Sequence, residues 1–134
     1  MKSRRLQLCL LALILVSCQE PKSTGNEVQS DTIKVTIMYA NGDDKTFDMD
    51  YYTQSHMPML AELFGEAMIK YEIDEGMAGR TPDDPLPYLA IGYLHFNSLS
   101  DYQEAFGPNA EQILNDIPNY TNIRPTVQIS KVVK

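Results

Sequence analysis

A chain of 134 residues, 43% hydrophobic and 22% charged, suits one compact domain with a modest core and is too apolar to be disordered. Its formal net charge of −7 excludes a nucleic-acid partner, because phosphate binding needs a basic face and none is present. With two histidines, two cysteines and no tryptophan, the residues able to carry chemistry are few.

The N-terminus reads as a targeting segment. Lys2, Arg4 and Arg5 precede an apolar run over residues 6–16. That run is shorter than the roughly 20 residues a membrane span needs. It ends in Leu15-Val16-Ser17-Cys18, which resembles a bacterial lipobox. The resemblance implies a signal peptide over residues 1–17, cleavage before Cys18, and lipidation of the Cys18 thiol, whose acyl chains partition into a bilayer. Gln19 is not the aspartate associated with inner-membrane retention, so the expected location is the cell envelope, at the outer membrane or periplasmic face. Cleavage removes Lys2, Arg4 and Arg5 but no acidic residue, so the mature chain is more acidic still. Cys9 leaves with the signal and Cys18 is acylated, so the domain has no free cysteine for a disulfide or for thiol chemistry. Residues 18–31 are polar, with Pro21, Ser23, Gly25 and Ser30, and read as a flexible tether. The folded domain is expected over residues 32–134.

Within it, Ile33, Val35, Ile37 and Tyr39 alternate with Lys34, Thr36 and Met38, the period of a strand with one apolar face. Asn41-Gly42 signals a turn. A helix is expected over about residues 50–64, with Asp48 as its cap, a kink near Pro58 and Gly65 as its C-terminal stop. Tyr52 and His56 are four apart on it and share a face that Met59 and Leu63 extend. A second strand covers residues 67–74, with Ile69, Tyr71 and Ile73 on one side. Residues 76–87 hold two glycines and three prolines and form a long loop. The third strand, residues 88–97, places Leu89, Ile91, Tyr93 and His95 opposite Tyr88, Ala90, Gly92, Leu94 and Phe96. Ser98 caps a helix over residues 99–106, which Pro108 interrupts before a restart over residues 109–116 with Ile113 and Leu114 inward. A structured loop and a last strand over residues 126–133 follow.

The order βαββαβ is that of an α+β ferredoxin-like subunit: an antiparallel sheet with both helices on one face. The other face, with Thr36, Met38, Gln128 and Ser130, needs a cover, and sheet-to-sheet pairing of two subunits is the simplest one. A homodimer is therefore expected.

Several motifs together carry a resemblance. Phe47-Asp48-Met49-Asp50-Tyr51-Tyr52, then His56-Met57-Pro58, resembles the signature of the EthD-like family within the dimeric α/β-barrel superfamily. Ala90-Ile91-Gly92-Tyr93, Phe106-Gly107-Pro108, Asp116-Ile117-Pro118-Asn119-Tyr120-Thr121-Asn122 and Gln128-Ile129-Ser130 agree with it. The resemblance implies a ferredoxin-like subunit whose dimer forms a barrel with a cleft in each half. It also implies a link to ethyl tert-butyl ether degradation, in a family without a settled reaction. The wider superfamily includes cofactor-independent monooxygenases, muconolactone isomerases and polyketide cyclases. Only the histidine–tyrosine motif carries over as a candidate catalytic site, onto Tyr51, Tyr52 and His56. Asn109 stands where some relatives have a histidine, which weighs against a two-histidine mechanism.

Three functional readings follow. The first is acid–base chemistry on a small, largely apolar, enolisable or phenolic molecule, of isomerase, cyclase or oxidoreductase type. In it His56 moves the proton, and Tyr51 or Tyr52, with Tyr88 or Tyr93, holds an oxygen. The second is capture of a small hydrophobic ligand without turnover. The third is a structural dimer with an undemanding cavity. Alternation with Ile91 and Tyr93 allows His95 to line the same cavity, against the alternative of a satisfied core histidine. Asp48, Asp50, His56 and His95 lack the dense spacing of a metal site. No cofactor is called for. There is no phosphate loop or serine-hydrolase motif, and Asn119-Tyr120-Thr121 matches a glycosylation sequon by chance.

Overall fold

The computed structural model describes residues 32–133. The proposed signal peptide, Cys18 and the tether lie outside the described residues. Strands β1 (Ile33–Ala40), β2 (Met68–Glu75), β3 (Tyr88–Phe96) and β4 (Thr126–Lys131) form one antiparallel sheet in the order β2-β3-β1-β4. Helices α1 (Met49–Tyr51), α2 (Met57–Phe64) and α3 (Leu99–Asp116) complete an α+β ferredoxin-like βαββαβ domain. Among the described residues no helix is long and apolar enough to cross a membrane.

One sheet face carries the core. Ile33, Val35 and Tyr39 of β1 and Ala90, Leu94 and Phe96 of β3 pack under Met57, Leu60, Phe64 and Ile113 from the helices. On the opposite face, Thr36 of β1 sits between Tyr93 and Gln128, and Met38 between Ile91 and Thr126. That face is the mixed one the alternation predicts.

The helix opening on Asp48 departs from expectation in an informative way. The Asp48 carboxylate accepts from the Tyr51 N–H at 2.9 Å, as a cap should. In place of a proline kink there is a π-helical turn, Tyr52–His56, closed by the Met57 N–H on the Tyr52 carbonyl. The wider turn takes one extra residue just before Pro58, whose ring would crowd the Gln54 carbonyl of a regular α-helix. The extra residue also advances the buried stripe by one position. Met57, Leu60 and Phe64 are buried, while Met59 and Leu63 are only half-buried. Gly65 ends the helix at φ +51°, a backbone conformation that favours glycine.

Three further expectations are corrected. A β-bulge between Met68 and Lys70 turns Ile69 away from Tyr71 and Ile73, leaving it 49% exposed. The helix before Asp116 does not restart at Pro108 but runs through it. Pro108 and Glu104 are exposed there, so water can satisfy the carbonyl the proline leaves unpaired. Leu114 is not inward, at 55% exposed, while Ile113 is buried.

Gly92 ties the sheet to the helices. Tyr52 is fully buried, and its hydroxyl, with no hydrogen-bond partner, occupies the space a Cβ on Gly92 would need. Gly92→Ala is expected to cost about 1–3 kcal/mol through overpacking. Tyr52→Phe, which removes an unsatisfied hydroxyl, is expected to be neutral or stabilising. In the double variant the new methyl meets the ring carbon at 3.4 Å and Met57 Cε at 3.7 Å, so most of the loss is recovered. Urea midpoints of the three variants check this.

Candidate active site

The wide turn decides where the histidine sits. Tyr52 and His56 stack at 5.5 Å with 17° between their rings, and His56 is only 3% exposed. A buried imidazole needs both nitrogens bonded. His56 Nδ1 lies 2.7 Å from Asp116 Oδ2, and Nε2 lies 3.3 Å from the Tyr120 hydroxyl. The partner on Nδ1 is thus a carboxylate rather than a backbone carbonyl.

Asp116 is the last residue of α3, where the negative end of the helix dipole disfavours a carboxylate. Donors compensate. The Tyr51 hydroxyl donates to Oδ1 at 2.8 Å, as does the Asn119 amide. Burial opposes ionisation of Asp116, but the hydrogen bonds from His56, Asn119 and Tyr51 outweigh it and hold the carboxyl below its ordinary range. The bond to Asp116 raises the Tyr51 pKa. For His56 burial dominates and lowers the pKa, although Asp116 pulls it upward. The site at neutral pH is therefore a neutral imidazole beside a carboxylate. Nδ1–H donates to Asp116, and Nε2 accepts from Tyr120.

Tyr120 is held by the segment preceding α1. Its carbonyl accepts from the Asp48 N–H at 2.7 Å, Thr121 Oγ1 donates to the Thr46 carbonyl at 2.6 Å, and Phe47 bridges Thr121. The Tyr120 hydroxyl lies 2.8 Å from that of Tyr39 on β1. Tyr39, Phe47, Tyr52 and Tyr120 pack mostly edge to face, with centroids 4.8–5.9 Å apart.

A cavity of about 90 Å³ lies between helices and sheet. His56 and Tyr39 border it among apolar side chains that include Val35, Leu60 and Phe106. The half-exposed Leu114 and Val127 also line it, which marks its mouth between α3 and β4. A second, open cleft of about 650 Å³, lined by residues 46–50 and 118–122, lies outside it and shares Tyr120 and Asn119 with the hydrogen-bonded group.

Of the expected site residues, the fold brings His56, Tyr51 and Tyr52 together. Tyr51 reaches His56 through Asp116, whereas the Tyr52 hydroxyl is turned to Gly92. Tyr93 and His95 are not brought to them. Because Gly92 and Leu94 face the helices, strand alternation sends their neighbours to the other face of the sheet. There Tyr93 and His95 line a separate pocket of about 210 Å³ with Lys34, Glu72 and Asp74. His95 Nε2 pairs with Glu72 at 2.9 Å, and the Lys34 ammonium lies over the Tyr93 ring. Tyr88, at the first position of β3 beyond a bulge, borders neither the apolar cavity nor the open cleft. Asp116, Tyr120 and Tyr39 were missed as site residues. An acidic residue at a helix C-terminus, demanding donors, was the signal available for Asp116. Among the described residues no group of three or more His, Cys, Asp or Glu side chains is placed to hold a metal ion.

These features define a ferredoxin-like α+β domain with a buried histidine–carboxylate pair beside an apolar cavity. No protein-family model matches the chain, and no curated protein is significantly similar. Among solved structures it is similar to an EthD-like protein from Ralstonia eutropha JMP134, at 35% identity over 78% of this chain and 95% of that one, with a TM-score of 0.75. An ethyl tert-butyl ether d (EthD) family protein from Bacillus halodurans C-125 shares the fold at 11% identity and a TM-score of 0.53, over 75% of this chain and 98% of that one. The chain belongs to the EthD-like family.

Protonation of His56 is linked to stability with a definite sign. Its native pKa lies below the ordinary 6.5, so below that pH the unfolded chain binds a proton that the native chain resists. Stability is expected to be complete above about pH 6.5 and to fall as the pH drops through and below it. The Asp116 contribution is lost later, below the ordinary carboxyl value of 3.8. Urea midpoints between about pH 8 and pH 5 should show the slope, and His56→Gln should flatten it.

Proposed function

We propose that the domain performs cofactor-independent acid–base chemistry on a small, largely apolar, enolisable or phenolic compound, with the His56–Asp116 pair as the proton acceptor. One observation carries the reading. A neutral imidazole, oriented by a carboxylate on one nitrogen, borders an apolar cavity. Such a group is poised near neutral pH and works best out of water. At about 90 Å³ the cavity is smaller than the roughly 150 Å³ in which an engineered apolar cavity takes benzene, so compact substrates fit best.

The second reading, capture of a small hydrophobic ligand without turnover, also has an observation behind it. Both His56 nitrogens are already bonded. Exchange of the α-protons of acetone, butanone and cyclopentanone in heavy water, followed by NMR, separates the two. Exchange above the buffer rate that His56→Gln abolishes is the expected result. Ligand-dependent thermal stabilisation without any exchange would favour capture.

The same reading makes the protein a lipid-anchored homodimer at the cell envelope. The positive start, the apolar run and Leu15-Val16-Ser17-Cys18 support the anchor, and the open sheet face with Thr36, Met38, Tyr93 and Gln128 supports the dimer. Cys18→Ser is expected to move the protein from the membrane to the soluble fraction, with loss of the acyl mass on the N-terminal peptide.

A further inference from the structure

With Asp116 on Nδ1 and Tyr120 on Nε2, His56 has no nitrogen free to meet a ligand in the apolar cavity. Tyr39 borders that cavity too, from β1, and its hydroxyl lies 2.8 Å from the Tyr120 hydroxyl. The direction of the chain follows from the carboxylate. Asp116 accepts from Nδ1–H, so Nε2 must accept from Tyr120, and the Tyr120 oxygen in turn accepts from Tyr39. Every donor then points toward Asp116, and Tyr39 is the member of the chain beyond Tyr120 whose side chain borders the cavity.

Resting on the acid–base reading, we propose that Tyr39 is the catalytic residue that exchanges a proton with the ligand and that Tyr120 relays it to His56. As the C–H or O–H bond of the ligand breaks, its proton bonds to the Tyr39 oxygen. The former Tyr39 proton passes to the Tyr120 oxygen, and the former Tyr120 proton passes to His56 Nε2. The bonding pair stays on the ligand as an enolate or phenolate, and the new imidazolium is balanced by the Asp116 carboxylate. Return of the Tyr39 proton to a different atom gives isomerisation with no co-reactant, and exchange of that hydroxyl proton with solvent before the chain reverses gives deuterium incorporation at the original atom.

Burial raises the pKa of Tyr39 and of Tyr120 far above the ordinary range, so neither persists as a phenolate and the proton moves from hydroxyl to hydroxyl. Tyr102 also borders the cavity, but among the described residues its hydroxyl has no hydrogen-bond partner. The Tyr52 hydroxyl lies against Gly92, makes no geometric hydrogen bond among the described residues, and does not border the cavity.

The test uses the heavy-water exchange of the same three ketones, with Tyr39→Phe and Tyr120→Phe beside His56→Gln. Each phenylalanine keeps the ring packing, and a urea midpoint verifies that each variant folds. Both are expected to lose about a hundredfold or more in exchange rate. Both should also raise the His56 pKa read by imidazole NMR, because each weakens a donor to the neutral ring, a change that packing alone would not produce. Exchange that depends on His56 but survives Tyr39→Phe would overturn the relay and leave the acid–base reading standing. No exchange by the wild type would overturn both.

Discussion

A neutral imidazole taken out of water has to be bonded at both nitrogens, and that requirement organises this domain. It places a carboxylate on one side of His56 and a phenol on the other. The carboxylate is itself awkward, because it closes a helix whose last carbonyls already carry negative charge. Tyr51 and Asn119 are its remedy, and they come from separate segments, the opening turn of α1 and the 3₁₀ turn after α3. A single buried nitrogen base thus draws together the start of one helical layer, the end of the other and the first strand.

The aromatic residues around this group serve position as much as burial. Tyr120 packs against His56 at 4.6 Å and stacks on Tyr51 at 6.1 Å, while Phe47 and Tyr39 meet its edges. Rings packed on several sides have few alternative rotamers, so hydroxyl-to-hydroxyl distances are set by the packing itself. The backbone link between Asp48 and Tyr120 adds a fixed hinge point between segments 72 residues apart in the chain.

Much of this was legible in the sequence, because it depended on local rules. Alternation defined β1 and β3, the cap at Asp48 was visible, and the open face carried Thr36, Met38, Gln128 and Ser130 as its register required. What escaped were insertions of a single residue. One extra residue in the Tyr52–His56 turn moved the buried stripe from Met59 and Leu63 to Leu60 and Phe64, and one at Ile69 broke the alternation of β2. Periodicity cannot register such a phase change until packing is known. Tyr93 and His95 lie away from the apolar cavity for a different reason. Strand alternation fixes which residues share a face, but not which face the helices cover. Asp116 and Tyr120 stand within a sequence motif, yet their meeting with His56 is a tertiary event that no spacing encodes.

The sheet has two unlike edges. β2 carries a bulge and a row of charges at Lys70, Glu72, Asp74 and Glu75, so its backbone is twisted and poorly matched to another strand. β4 has neither protection: it runs regularly from Thr126 to Lys131 and holds Val127 and Ile129 half-exposed. Among the described residues β4 is therefore the edge better matched to a further strand. That same edge flanks the mouth of the apolar cavity, so an added strand would also narrow the way in for a ligand.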